Sequence, residues 1–150
     1  MQDITVRAME IGDTKALAEL DIKCFAVPWS EQAFRDEAEN DLASYLVAVK
    51  DGELVGYIGY WRVVDEGHIT NIAVSPKYRR QKIASNLLEN IIKAAYNEGL
   101  VLLTLEVRKS NTAARSLYEG YGFLPLGERK GYYHSPTEDA VIMTLMLGDN

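Results

Sequence analysis

Lys77, Arg79, Arg80 and Lys82 put four cations within six residues, between an apolar stretch and a long amphipathic one. A loop of this kind, leaving a strand and entering a helix, can hold a small anion. The first amides of a helix have no internal partners and carry partial positive charge, so a phosphate there accepts several N–H bonds. The plainer alternative is a solvated basic turn, but the strand and helix on either side favour an anion site. Glu106 raises a second question, because it is a carboxylate inside the apolar run 101–107. Such a group is either an acid–base residue or half of an ion pair at a wet strand end, with Arg108 the candidate partner. Tyr118 shares a helical face with Ala114, Leu117 and Tyr121. Its hydroxyl can give a proton, or its ring simply fills the core. Asn111 stands where an N-cap of that helix is wanted.

Several other chemistries are excluded. Neither a G-x-G-x-x-G turn nor a Gly-Lys-Ser/Thr loop is present, so the basic loop is not of the dinucleotide or nucleoside-triphosphate type. Cys24 is the one cysteine, which rules out an internal disulfide and a paired-cysteine metal site. It falls on the apolar face of the first helix and reads as core rather than nucleophile. His68 and His134 lack metal-type spacing, so no metal is expected.

The net charge is −6, unevenly distributed. Residues 1–50 hold 5 Lys/Arg and 10 Asp/Glu, whereas residues 77–130 hold 10 and 5. An acidic chain with one basic region suits a single small polyanion better than nucleic acid, and no direct nucleic-acid binding is expected. No apolar run approaches the roughly 18 residues of a membrane span, so no membrane partner is expected. The start, Met1-Gln2-Asp3-Ile4, has no basic and apolar leader pattern, which points to the cytoplasm.

These groups need a scaffold, and its pattern is legible. The chain reads as one domain over residues 1–150, with no repeat or linker. Residues 4–7 form a first strand, Asp13 caps a first helix, and Ser30 caps a second that runs to about residue 39. Residues 45–49 and 54–63 are strands joined at Asp51-Gly52, a strong hairpin signal. Residues 67–74 make a fourth strand. A helix over 83–96 turns Ile83, Leu87, Leu88, Ile91, Ile92 and Ala95 inward and ends at Gly99. A strand over 101–107, a helix over 111–121, and strands over 123–129 and 140–147 complete the chain. In the strand 101–107, Leu103, Leu105 and Val107 face one way, and Glu106 faces the other with Leu102 and Thr104. The order βααβββαβαββ predicts an α/β protein with a six- to seven-stranded mixed sheet and about four helices on both faces.

The stretch Asn71-Ile72-Ala73-Val74-Ser75-Pro76, followed by Tyr78-Arg79-Arg80-Gln81, resembles the coenzyme A motif of the GNAT acetyltransferase superfamily. That motif runs Arg/Gln-x-x-Gly-x-Gly/Ala, with Arg79, Lys82 and Ala84 at its defining positions. Lys82 departs from the usual glycine, and the expectation is a negative φ there, with the lysine adding charge beside a pyrophosphate. Leu105 through Asn111, Leu117-Tyr118 and Gly122-Phe123 look like the second half of the same fold. They come closest to the RimI-type ribosomal-protein-alanine N-acetyltransferases. The stretches at 25–31, 131–133 and 138–143 agree, so the likeness covers nearly the whole chain.

The resemblance implies acetyl-coenzyme A as co-substrate, held by Ile72, Ala73, Val74, Arg79, Arg80, Gln81, Lys82, Ile83, Ala84, Ser85 and Asn111. It implies Glu106 as a general base acting through water and Tyr118 as the general acid for the departing sulfur. Trp29, Tyr132 and Tyr133 would wall the acceptor. That acceptor would be the N-terminal α-amino group of a protein, most of all an alanine of a ribosomal protein. Two other functions fit a chain of this kind: acetylation of a small amine, and coenzyme binding without turnover. The aromatic residues suit a peptide better than a polyamine, and Glu106 with Tyr118 speaks for turnover.

Overall fold

A computed structural model describes residues 4–148; the leader reading at Met1 to Asp3 lies outside them. The elements are β1 (Ile4–Ala8), α1 (Thr14–Cys24), α2 (Glu31–Ala38), β2 (Ala43–Lys50), β3 (Glu53–Val63), β4 (Glu66–Val74), α3 (Ile83–Asn97), β5 (Leu102–Arg108), α4 (Thr112–Gly120), β6 (Leu124–Tyr133) and β7 (Glu138–Met146). The expected order and the expected mixed sheet are both found. Seven strands lie in the order β1-β2-β3-β4-β5-β7-β6, and every neighbouring pair is antiparallel except β4 with β5.

Alternation along the strands feeds two cores, one on each face of the sheet. Leu17, Leu20 and Phe34 of α1 and α2 pack on Tyr45, Val47 and Tyr57. Ile83, Leu87, Leu88, Ile91 and Ala95 of α3, with Tyr118 of α4, pack on Val55, Ile58, Leu103, Leu105 and Val107. A fully buried Leu or Ile contributes about 1.5–3 kcal/mol, so the inward stripe of α3 fixes where the start of that helix lies.

The ends of the elements follow local chemistry. Asp51 and Gly52 both take positive φ, as their two-residue hairpin turn requires. Ser30 Oγ accepts from the Ala33 N–H at 3.1 Å and caps α2. Asp13 does not cap α1 as expected. Its carboxylate accepts from the Glu10 N–H at 2.8 Å and from the Arg7 guanidinium at 2.8 and 2.9 Å. That ion pair, absent from any local cap pattern, draws the side chain back towards β1. Strand β6 runs on to Tyr133 rather than stopping at Arg129. The five residues from Arg129 to Tyr133 face only the three from Glu138 to Ala140 on β7, and Gly131 at φ 60° lies within the excess. The strand therefore continues past residue 129 through a bulge at Gly131.

A second bulge matters more. On β4, Asn71 pairs with Gly59 and Ile69 with Tyr60, which leaves Thr70 as an extra residue. Bulges bend a strand and raise its twist. The Thr70 hydroxyl meets the Tyr45 hydroxyl at 2.8 Å, and the Tyr45 ring reaches it by lying over Gly59. A Cβ at Gly59 would sit within 2.6 Å of Tyr45 Cζ. We therefore expect Gly59→Ala to destabilise the fold by about 1–3 kcal/mol through overpacking. The measurement is the urea midpoint at unchanged slope; a midpoint equal to that of the parent would contradict the role given to this contact.

Candidate functional site

Strands β4 and β5 pair over only three positions, Glu66 with Leu102, Gly67 with Leu103 and His68 with Thr104. Beyond them the strands part. Residues 69–74 keep β3 on one edge and residues 105–108 keep β7 on one edge, with no strand between them. The parting opens a cleft of about 630 Å³, lined by 69–72 of β4, 105–108 of β5, 24–27 after α1, and 132–136 at the β6–β7 turn. A strand edge with unpaired N–H and C=O groups is a template for an extended ligand.

Glu106 and Tyr118 both line this cleft. Glu106 projects from the face of β5 opposite Leu105 and Val107, as the alternation predicts, and its side chain is 26% exposed. Its ion-pair partner is not Arg108 but Arg129 of β6, whose Nε donates to Oε2 at 3.2 Å. Arg108 instead ties the β6–β7 turn. It donates to the carbonyls of His134 and Pro136 at 3.0 and 2.9 Å and to Glu138 at 3.2 Å, and it lies over the Tyr133 ring. Glu138 also accepts from the Ser110 N–H at 2.6 Å. That bond, with the Arg108 guanidinium, holds its carboxyl below the usual range.

Tyr118 packs on Phe123 and is buried, with its remaining exposed edge in the cleft wall. Burial pushes its phenol well above the ordinary value, helped by the nearby Tyr133. Burial likewise pushes Tyr133 up to about 12. Both stay neutral donors at physiological pH. Cys24 also reaches the cleft, where its thiol donates to the Val74 carbonyl at 3.5 Å. Burial raises its pKa, which fits a packed thiol rather than a nucleophile.

A second, smaller hollow of about 210 Å³ lies at the start of α3, lined by Val74, Arg79, Arg80, Lys82, Ile83, Ala84 and Ser85. No side chain caps this helix, so its first amides are open to a ligand. Val74 thus touches the hollow and Ile72 the cleft, on one continuous strand edge. Ala73 between them is buried under α1 and α2. The Gln81 side chain does not face the hollow; it accepts from the nearly buried Lys50 ammonium and so braces the loop from behind. Asn111 lines the cleft and caps α4, accepting from the Ala114 N–H at 3.1 Å.

Two expectations change. Lys82 has φ 63°, not a negative value, and Arg80 has φ 67°. The loop must reverse sharply to aim its amides at the hollow, and that geometry prevails over the side-chain preference of lysine. Trp29 is not brought to the cleft. Its ring packs on Phe34 and Tyr45, and its backbone N–H donates at 2.8 Å to Asp21, a buried carboxylate that also accepts from Tyr57. Phe25, Ala26 and Val27 of the same loop line the cleft instead. Tyr132 and Tyr133 are there as expected. Arg129 was not singled out in the sequence, and Arg108 was expected beside Glu106 rather than Glu138, because these pairings depend on the register of β5, β7 and β6.

A sheet split beside an uncapped helix start, with the basic loop leading into it, is the frame of an acyl-coenzyme A transferase. Residues 14–123 match the acetyltransferase (GNAT) family, and the chain belongs to it. The [ribosomal protein bS18]-alanine N-acetyltransferase of Escherichia coli (strain K12) is 37% identical over 147 residues, covering 95% of this chain and 97% of the relative. A Bacillus subtilis (strain 168) protein provisionally given the same activity is 40% identical over 145 residues, covering 96% of each. The crystal structure of the ribosomal-protein-S18-alanine N-acetyltransferase from Escherichia coli superposes with a TM-score of 0.92 at 33% identity, covering 99% of this chain and 96% of that one.

The left-handed lysine generates a test. A left-handed conformation costs a non-glycine residue about 1–2 kcal/mol, partly offset by the greater freedom glycine has when unfolded. Lys82→Gly should therefore stabilise the free protein by about 0.5–1 kcal/mol. Thermal melts of the two proteins without coenzyme measure this, and a lower melting temperature for the variant would contradict the strain.

Proposed function

We propose that this acetyltransferase moves the acetyl group of acetyl-coenzyme A to the N-terminal α-amino group of a protein, an alanine at the start of a ribosomal protein. One observation carries the reading: Glu106 and Tyr118, from different elements, line a single cleft at the strand split, and the same strand β4 that lines it at Ile72 reaches the hollow at the start of α3 at Val74. The activity that gives the Escherichia coli relative its name supports the choice of acceptor. An acceptor on the ribosome implies a cytoplasmic setting.

The cations at Arg79, Arg80 and Lys82 and the first amides of α3 would hold the pyrophosphate. The edge at 72–74 would pair with the amide-rich arm of the coenzyme as an added strand, and an N–H from it would face the thioester oxygen. Asn111 would touch the arm near its end. Tyr132 and Tyr133, with Phe25 and Val27 opposite, would wall the peptide and leave room for a short first side chain.

Chemistry follows from these positions. An α-ammonium has a pKa of about 7.7–8.0, lower than the lysine value of about 10.4, so it needs less help to lose its proton. Glu106 would accept that proton through a water molecule. The free amine would then attack the thioester carbonyl and form the C–N bond; as the C–S bond breaks the nitrogen would lose its second proton to solvent through the same water, and Glu106 would pass its own to solvent. Tyr118 would donate its proton to the leaving sulfur and be reprotonated from solvent. The products are an N-acetylated chain and the free thiol of coenzyme A.

Thiol release with two peptides tests the reading: one with a free alanine terminus and no lysine, the other with a blocked terminus and one lysine. The alanine peptide should react faster, and Glu106→Gln and Tyr118→Phe should each slow it by roughly 10²–10⁴-fold with coenzyme affinity kept. Faster reaction of the lysine peptide would overturn the α-amino acceptor. Near-parental turnover of both folded variants would overturn the two roles.

A further inference from the structure

The pair between Glu106 and Arg129 has no place in the chemistry above. The carboxylate lies in the wall of the cleft, whereas Arg129 does not line the cleft and reaches Glu106 from outside it. Arg129 is held on its other side by the Tyr132 ring, 5.9 Å from its guanidinium carbon. Among the described residues it is the one cation bonded to Glu106.

The other charges nearby are engaged elsewhere. On β5, Arg108 pairs with Glu138 of β7 at 3.2 Å. On β6, Glu128 pairs with Lys109 at 3.4 Å, and Lys130 with Asp139 of β7 at 3.5 Å. On β4, His68 pairs with Glu66 at 3.2 Å, at the closed end of the split. Tyr118 of α4, Cys24 of α1 and Tyr133 face the cleft as neutral groups, and Tyr132 is their exposed neighbour.

We propose that Arg129 is a positioning residue that neutralises and orients Glu106, so that the acceptor amine meets a balanced ion pair rather than a bare carboxylate. The inference rests on the reading of Glu106 as the base. A bare carboxylate within about 4–6 Å of an ammonium stabilises the charged form and delays the loss of the proton that attack requires. A guanidinium behind the carboxylate cancels most of that field while leaving the outward oxygen free to hold a water. With Arg129 58% and Glu106 26% exposed, the pair is weak in water. Bound coenzyme and peptide would strip water from it and strengthen the effect.

The test is the single-turnover acetylation rate of an alanine-terminated peptide against pH, from about pH 6 to about pH 9.5, bracketing the α-amino pKa. Arg129→Gln should move the acidic limb upward by about half a unit to one unit, a three- to tenfold loss near neutrality. Arg129→Lys, which keeps the charge, should restore the limb, and the KM for acetyl-coenzyme A should be the same in all. An unmoved limb in Arg129→Gln, whether or not the rate falls uniformly, would overturn the proposal while Glu106→Gln remains inactive. Retained turnover in Glu106→Gln would instead overturn the reading of Glu106 itself.

Discussion

Everything at this site depends on two parallel strands failing to stay paired. After three shared positions, β4 and β5 separate, and among the described residues each presents an edge of backbone donors and acceptors with no strand paired to it, the Val74 carbonyl meeting only the Cys24 thiol. Such groups must be met by water or by a ligand. The split is maintained from both sides. On β4, the bulge at Thr70 bends the strand away, held by Tyr45 across Gly59. On β5, seven consecutive pairs with β7 keep the strand straight, while Leu103, Leu105 and Val107 anchor it on α3 and α4.

The electrostatics around the split divide in two. At one end the charge is concentrated and uncompensated, with Arg79, Arg80 and Lys82 beside open helix amides, as a polyanion requires. At the other, charges are arranged in pairs: Arg108 with Glu138, Arg129 with Glu106, Lys130 with Asp139. The first two pairs join β5 to β7 and β6 and the third joins β6 to β7, and together they fix the hairpin that carries Tyr132 and Tyr133. Their solvent exposure makes each a small contributor to stability, so their value lies in placing side chains.

Much of this was legible in the sequence. The element order, the inward stripe of α3, the Ser30 and Asn111 caps and the Asp51-Gly52 turn are local signals, and the structure contains each of them. The basic loop ahead of α3 was legible because a cation-rich turn before an amphipathic helix is itself local. What escaped was set by register and long-range packing. Lys82 adopts positive φ because the loop as a whole must reverse, and a single residue type does not reveal that. Trp29 turns away from the cleft because its ring packs on Phe34 and Tyr45, while Asp21, buried eight positions earlier, holds its backbone N–H. Arg129 reaches Glu106 only once β7 lies between their strands, a neighbour relation that no spacing in the chain records.

The central claim is that the free edge of β4 and the start of α3 form one coenzyme-binding surface. Amide hydrogen exchange with and without acetyl-coenzyme A tests it most directly. Saturating ligand should slow exchange together at residues 72–74 and at residues 83–85, in proportion to occupancy. Protection at the helix start with none on β4, or no protection at either, would contradict the account.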